Sequence, residues 1–581
     1  MITKIHLQNF KSFAEPITAD VNDLTVIAGP NSCGKSSIIQ MLLLLAQTLE
    51  NPHPEVALDL GGRFVQFAEF REATFGRPKN IDAEFSVGFE LDIQEEDLLD
   101  INVFVQRMNR GRYSNIKSAS GVTNKAYISI TFRVNPQGAP YISFCSYQKT
   151  VHKIGDYKCE LKRVSKNSYK MQYEFIPVLK YQKDAREEIK QIRNSIVHGL
   201  NPRENQELAT SSHFREQNIY SLLDDPTINT DEGTEIIFRY IFRKRPLISS
   251  TKYTQFFEDY GKEVTELQSL TYGTPITKSA TVHPQFEYFL LGPNRYTSLL
   301  SRDEGYLFDK FNENFRDTAT EIKAFLKRIQ YIGPLRAKPE RAYLSAGTPI
   351  EIGNAGENAV PILWVNQNEK VTNKINIGGQ SKEQNLSDAV QAWLEEFGIA
   401  SEFHITKPKR VIYQAEMESA PGSNVMVTIA DVGFGVSQVL PVIIAGLWAK
   451  KGSTLILEQP EIHLHPQLQG KLADFLICLA ELDKKVIVET HSEHLINMLR
   501  LRIIQDESGK LQNRIGILFV RSRKQGLARK QADGSQGSYI ENLKVDKYGK
   551  IINWPPDFFP ESSKINEDIM FAILDKSKKG K

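Results

Sequence analysis

The chain has 581 residues, 41% hydrophobic and 24% charged, the balance of a globular protein too long for one core; about two to four structural units are expected. Lys and Arg number 72 against 70 Asp and Glu, so bulk charge announces no nucleic-acid or membrane-surface binding, and any such site must be a local patch. The four cysteines, Cys33, Cys145, Cys159 and Cys478, lack CxxC spacing, which argues against zinc and a disulfide framework. No apolar run near the start approaches the ~20 residues of a bilayer span, and no signal-peptide layout precedes it. The expected location is the cytoplasm, with no membrane partner.

Leu24–Ala28 reads as a buried strand, and the run from Ser37 onward (SIIQMLLLLAQTL) reads as an apolar helix. Between them stands Gly29-Pro30-Asn31-Ser32-Cys33-Gly34-Lys35-Ser36, a full G-x-x-x-x-G-K-S in the strand–loop–helix setting that motif requires. The glycines let the loop wrap closely, and its backbone N–H groups face phosphates together with the N-terminus of the helix that Ser37 begins. Lys35 adds a point charge at the β- and γ-phosphates, and Ser36 offers a hydroxyl to Mg²⁺. The expected ligands are therefore ATP and Mg²⁺.

From residue 81 to 177 the pattern alternates every second position, as in YISITFRV, PYISFCSY and KMQYEFIP, and predicts an antiparallel sheet. Residues 180–327 carry charges with apolar residues three or four apart, which predicts helices but no sustained heptads. Further on, Gly433-Phe434-Gly435, with Ser437 and Gln438 just after, stands directly ahead of an apolar helix; such an N-terminus is free to approach an anion. Thr454–Glu458 is a strand ending in a carboxylate, placed to hold the water shell of Mg²⁺. The next residue is Gln459, where an ATP-hydrolysing site usually carries a second carboxylate. The stretch KVIVETHSEHL repeats the design: a strand, then Glu489, Thr490, His491 and Ser492. The basic stretches at 158–170, 242–246 and 520–530 interleave Lys and Arg with Tyr, Phe and Leu, a composition found both in nucleic-acid grooves and in solvated faces.

Taken together, these motifs resemble the ABC-type ATPase head of the SMC/RecF/OLD superfamily of prokaryotic ATPases. The opening ITKIHLQNFKSFAEPITADVNDLTVIAGPNSCGKSS is similar to the start of such heads, LILEQPEIHLHP to their Walker B strand and loop, and ETHSEHLIN to their switch-histidine segment. YIGPLRAKPERAYLSAGTPIEIGNAGENAV and SYIENLKVDKYGKIINWPPDFFPES resemble a subgroup of AAA-family ATPases with a small C-terminal domain, which recur in anti-phage defence loci. The resemblance covers residues 1–90 and 325–562. It implies Gly29–Ser36 as Walker A, Glu458 as Walker B carboxylate, Gly433 to Gln438 as signature segment and His491 as the γ-phosphate switch. Two positions depart from the pattern: Gly433 replaces the usual signature serine, and Gln459 replaces the catalytic glutamate. An amide orients water but cannot take its proton, so slow hydrolysis is expected. Two carboxylates stand as substitutes for the missing base: Glu461, two residues on, and Glu489, on the strand expected to neighbour Walker B.

The expected fold class is α/β, a P-loop head in four parts. Residues 1–178 form an N-lobe with the antiparallel sheet, 179–325 a helical insertion, 326–505 a C-lobe with Walker B, and 506–581 a small C-terminal domain. The segment after Gln505 has no D-x-D. Any nuclease or toxin is then a partner, and the chain is read as an ATP-gated sensor or scaffold that pairs head to head with itself. The rival reading is a RecF-like ATPase that clamps DNA in repair or chromosome maintenance; a housekeeping ATPase is the third.

Overall fold

The structure, a computed structural model, describes residues 1–53, 56–78, 82–93, 124–151, 155–165, 168–177, 276–282, 286–287, 290–291, 315, 318–344, 351–409, 412–419, 422–423, 425–523, 537–546 and 551–552. Strands β1 (Ile2–Gln8) and β2 (Ile17–Asp20) open the chain, and β3 (Leu24–Ala28) leads through the glycine loop into helix α1 (Lys35–Glu50). β1 and β2 join β4 (Glu84–Ile93), β5 (Asn124–Val134), β6 (Pro140–Val151), β7 (Gly155–Ser165), β8 (Ser168–Pro177) and β9 (Ile276–Val282). The result is an eight-stranded antiparallel sheet in the order β2-β1-β4-β5-β6-β7-β8-β9. A short hairpin of β10 (Phe286–Glu287) and β11 (Leu290–Leu291) and helical residues 318–327 (α2) follow.

Period-two alternation explains this sheet: Ala126, Ile128, Ile130 and Phe132 of β5 are buried, and the residues between them look outward. One basic stretch finds its place here, and one expectation changes. The basic stretch 158–170 is largely β7 and the start of β8, with Cys159 and Leu161 buried while Lys158 and Lys162 are exposed; the lysines belong to the outer face of an alternating strand. The segment expected as a helical insertion contributes β9, whose β-branched alternation (ITKSATV) pairs it antiparallel with β8. Most of 179–325, and the basic stretch 242–246, lie outside the described residues.

The remaining elements are β12 (Ile329–Ile332), β13 (Tyr343–Leu344), α3 (Ala359–Asn366), β14 (Lys370–Asn373), β15 (Lys382–Asn385), α4 (Leu386–Glu396), β16 (Phe403–Lys409), β17 (Ile412–Glu418), β18 (Met426–Thr428), α5 (Phe434–Trp448), β19 (Thr454–Glu458), α6 (Pro466–Glu481), β20 (Lys485–Glu489), α7 (Glu493–Gln505), α8 (Leu511–Arg514), β21 (Ile515–Ser522) and β22 (Ser538–Leu543). The second large sheet runs β12-β19-β20-β3-β21-β22, with only the β21–β22 pairing antiparallel. Small antiparallel sheets of β13, β16, β17 and β18, and of β14 with β15, flank it. The boundary expected at residue 506 therefore moves: β21 lies beside the glycine-loop strand, so residues 515–522 and 538–543 belong to the core sheet rather than to a separate domain. Their apolar runs read the same in either setting, and only the parallel pairing of Ile515–Phe519 with Leu24–Ala28 decides.

Alternate residues of these strands feed two cores. Ile27, Ile456, Ile487, Leu518 and Val520 pack with α1 and the antiparallel sheet. Val26, Leu455, Leu457, Val486, Val488 and Phe519 pack against α3 to α7 on the other face. A parallel sheet covered on both sides needs such continuous apolar strands. Helix α1 is apolar nearly all round because it lies between the two sheets, with Leu42 to Leu45 at most 1% exposed. No helix among the described residues is long and apolar enough to cross a membrane.

Candidate active site

Because β12, β19, β20 and β3 run parallel, their C-terminal ends converge on one edge, the usual place for ligands in such sheets. Register is exact enough to place side chains: Glu458 sits opposite Glu489, and Glu489 opposite Ile27, two residues before Gly29. The loop after β3 turns through left-handed or glycine-type angles at Gly29 (φ 143°), Ser32 (φ 59°) and Gly34 (φ 103°). A Cβ on Gly34 would collide with Ser12 Oγ in the turn after β1, and one on Gly29 with the Val520 carbonyl of β21, so both positions favour glycine.

The loop opens on a cleft of about 990 Å³, lined by Asn31, Ser32, Gly34, Lys35, Ser36 and Ser37 on one side and by Gln459, Glu489 and His491 on another. Lys35, 4% exposed, donates to the carbonyls of Gly29 (3.1 Å) and Pro30 (2.8 Å), so the ammonium is already held within the loop. Burial lowers its pKa. Cys33 turns inward and is buried, and burial raises its thiol. Ser36 Oγ donates to Glu489 Oε2 at 2.9 Å. Glu458 Oε1 accepts from the Tyr331 hydroxyl at 2.9 Å. Burial, then the nearby Glu489 charge, pushes Glu458 up to about 7. Glu489, 3% exposed, is likewise raised by burial.

Ser36 and Glu489 meet in the cleft as hard oxygen donors of the kind that fits Mg²⁺, while Glu458, opposite Glu489 in the strand register, is held by Tyr331 and is not among the residues that line the cleft. Among the described residues no three His, Cys, Asp or Glu side chains form a ready-made cage.

Gln459 adopts φ 47°, and its N–H donates to the Glu489 carbonyl at 2.7 Å. The chain is thus turned, not extended, after Walker B, and Glu461 is not carried to the side of Gln459. Glu461 Oε1 instead accepts from the His491 N–H at 2.9 Å and anchors the switch segment. His491 is lowered by burial and by Lys35. The signature segment from Gly433 to Gln438 heads α5, whose backbone at Gly435 lies against the His463 carbonyl. Gly433, Gly435, Ser437 and Gln438 are not among the residues that line the cleft of their own chain.

A model of the AAA ATPase domain matches residues 1–496. The chain belongs to the AAA ATPase domain family. This bears out the P-loop ATPase expected from the motifs. No curated protein matches the ATPase in sequence. Among solved structures it is similar to the SmcHead bound to the C-winged helix domain of ScpA, at 12% identity, with 95% of this chain and 99% of that chain covered and a TM-score of 0.34. The Thermotoga maritima SMC head domain shares 11% identity over 94% of this chain and 99% of that chain, TM-score 0.30.

The cleft also contains residues outside the sequence motifs. Lys11, Ser12, Gln40, Thr74 and Arg77 line the cleft as well, with Glu72 and Gly76 beside them. Lys11 Nζ donates to Gln40 Oε1 at 2.5 Å, and Ser12 Oγ meets Ser37 Oγ at 3.3 Å. Lys11 and Arg77 take φ 48° and 49°, turns for which a non-glycine sequence gives no local signal. Tyr331 and Arg336 reach Walker B from the edge strand, and nothing in their spacing announces it.

Proposed function

We propose that this ATPase binds ATP with Mg²⁺ at the Gly29–Ser36 loop and hydrolyses it slowly, with Glu489 in the place of the missing general base. The observation that carries this reading is the hydrogen bond from Ser36 to Glu489 in a cleft where the residue after the Walker B carboxylate is Gln459. Loop N–H groups and Lys35 hold the β- and γ-phosphates, while Ser36 and Glu458 hold the magnesium ion and its water shell. Mg²⁺, when bound, supplies charge neutralisation at the transferring phosphoryl group. Gln459 orients the attacking water through its amide. Glu489, a carboxylate already raised by burial, takes the proton. His491, between Lys35 and the α7 N-terminus, reports on the γ-phosphate.

Slow turnover suits a device that stays assembled while ATP is bound. In this reading two heads pair, with the signature segment of each closing on the phosphate held by the other, and the assembled dimer acts as sensor or scaffold for an effector such as a nuclease or toxin in anti-phage defence. Support for the defence role is the resemblance of residues 331–360 and 538–562 to ATPases of such loci. Steady-state hydrolysis by the full chain tests the catalytic part: turnover well below the ~10 s⁻¹ enzyme median is expected, and a rate near it overturns the slow site. Phage plating on cells carrying the wild-type or Lys35→Ala gene with its neighbours tests the rest; equal plating on both removes the defence role. Salt-dependent DNA binding by the isolated chain would favour the RecF-like alternative.

A further inference from the structure

Residues 334–336 invert the ordinary pattern of a surface turn. Leu335 is 84% exposed while its neighbour Arg336, a permanent cation, is 7% exposed. A buried arginine beside an exposed leucine is not packing logic, since charged side chains enter interiors only where partners await them. The partners here are backbone carbonyls of the catalytic turn. Arg336 Nη1 donates to Gln459 O at 2.9 Å and to Pro334 O at 3.1 Å, and Nη2 donates to Glu458 O at 3.1 Å. One planar guanidinium therefore grips both carbonyls of the Glu458–Gln459 dipeptide, at the residue whose φ of 47° is sparsely populated for a side chain of this kind. Such angles persist where surroundings over-determine them.

We propose that Arg336 is a positioning residue of the ATPase reaction: it clamps the Walker B turn so that Gln459 meets the cleft while Glu458 is held for the metal. This inference rests on the reading of the cleft as an ATP site. Tyr331, five residues earlier, completes the brace by donating to Glu458 Oε1. The turn that carries Arg336 is itself fixed from behind. Gly333 N–H donates to Asn354 O and Ala337 N–H to Ala355 O, each at 2.8 Å. One residue on, Gly356 lies so close to Pro441 of α5 that a Cβ there would clash. The signature helix and the Walker B turn thus share one connector. The guanidinium also keeps a bond in reserve, because Arg336 Nε and Glu461 Oε2 are both buried without a hydrogen-bond partner. Glu461 is the carboxylate that holds His491 N–H, so pairing the two would join the brace to the switch.

The test compares wild type, Arg336→Lys, Tyr331→Phe and Lys35→Ala as full chains. Thermal melting, affinity for a fluorescent ATP analogue, turnover, and the Mg²⁺ concentration for half-maximal turnover are measured for each. Lysine keeps the charge but loses the fork. Arg336→Lys is expected to bind nucleotide within about twofold of wild type and to lose turnover roughly 10- to 100-fold, as removal of outer-shell partners of metal ligands does. Tyr331→Phe, which leaves the buried cation alone and folds on that account, is expected to raise the Mg²⁺ requirement several-fold, by roughly the same logic. Unchanged turnover in both variants overturns the inference. So does a fall in affinity, turnover and melting temperature together, which marks a purely structural arginine. Wild-type protein that binds the analogue no better than Lys35→Ala removes the ATP reading itself, a different failure.

Discussion

Glu489 Oε2 and Ser36 Oγ are hydrogen-bonded at 2.9 Å, joining the end of the switch strand to the first turn of the P-loop helix. The pairing follows from strand order, since β20 lies directly between β19 and β3. The carboxylate at the end of the middle strand is therefore the one delivered to the loop, and Gln459 stands beside it in the cleft.

Substitution at the two positions should move turnover in opposite directions. Gln459→Glu restores the usual base and is expected to raise turnover, up to the ~10²–10⁴-fold that a positioned general base contributes. Glu489→Gln should lower turnover of the wild type, and should matter less in the Gln459→Glu background. Nucleotide affinity is expected to stay within a few-fold in both. A Glu489→Gln chain that hydrolyses ATP at the wild-type rate would exclude Glu489 as base.

Lys35 is the loop's only side-chain cation, and it already donates to two loop carbonyls. Lys35→Ala should cost at least the ~1.5–3 kcal/mol of a charged hydrogen bond, about 10- to 150-fold in affinity. Calorimetric titration of ATP into the variant checks this. Its melting temperature should hold, since removing a buried ammonium removes a desolvation cost along with two bonds.

The parts of this site that a sequence shows plainly are those encoded within a few residues. The glycine loop, the apolar strands ending in Glu458 and Glu489, and the alternation of β5 are local patterns. In an extended chain Glu461 would fall on the side of Gln459, and the positive φ at Gln459 that turns it away has no sequence signature. Arg336 carries no local signal, because a cation that seeks carbonyls more than a hundred residues away reads as an ordinary loop residue. The place of Ile515–Ser522 beside Leu24–Ala28 is hidden for the same reason: parallel pairing is a non-local choice, and an apolar strand is equally at home in another domain.

Lys484 makes a pH prediction of definite sign. It is 5% exposed, and its ammonium donates to the carbonyls of Gly446 (2.7 Å) and Leu447 (3.2 Å) at the end of α5. Burial lowers its pKa from 10.5 to about 8. Above 10.5 the side chain is neutral in both states, and the folded protein is spared the buried charge. Between about 8 and 10.5 the unfolded chain binds more protons, so stability rises with pH, and below about 8 that contribution is gone. Urea midpoints at pH 7.5 and 9.5 should therefore shift upward with pH more in the wild type than in Lys484→Met. Equal slopes would show that the two carbonyls offset the burial.

The signature segment gives the sharpest test of assembly. It heads α5 and approaches the His463 carbonyl through Gly435, yet Gly433, Gly435, Ser437 and Gln438 are not among the residues that line the cleft of their own chain. If two heads close on each other, each cleft takes its loop from one chain and its signature from the other. A Lys35→Ala chain lacks the loop function, and a Gly433→Asp chain, at a position with open space for a side chain, sets a carboxylate where a phosphate must approach. Each alone should be inactive. Mixed in equal amounts, half the dimers are mixed, and each of these has one intact composite cleft, so roughly a quarter of wild-type turnover should return if the two clefts act independently. Light scattering on the same samples should show ATP-dependent dimers in the mixture. Inactivity of the mixture despite dimer formation would mean that the segment serves its own chain's phosphate or none.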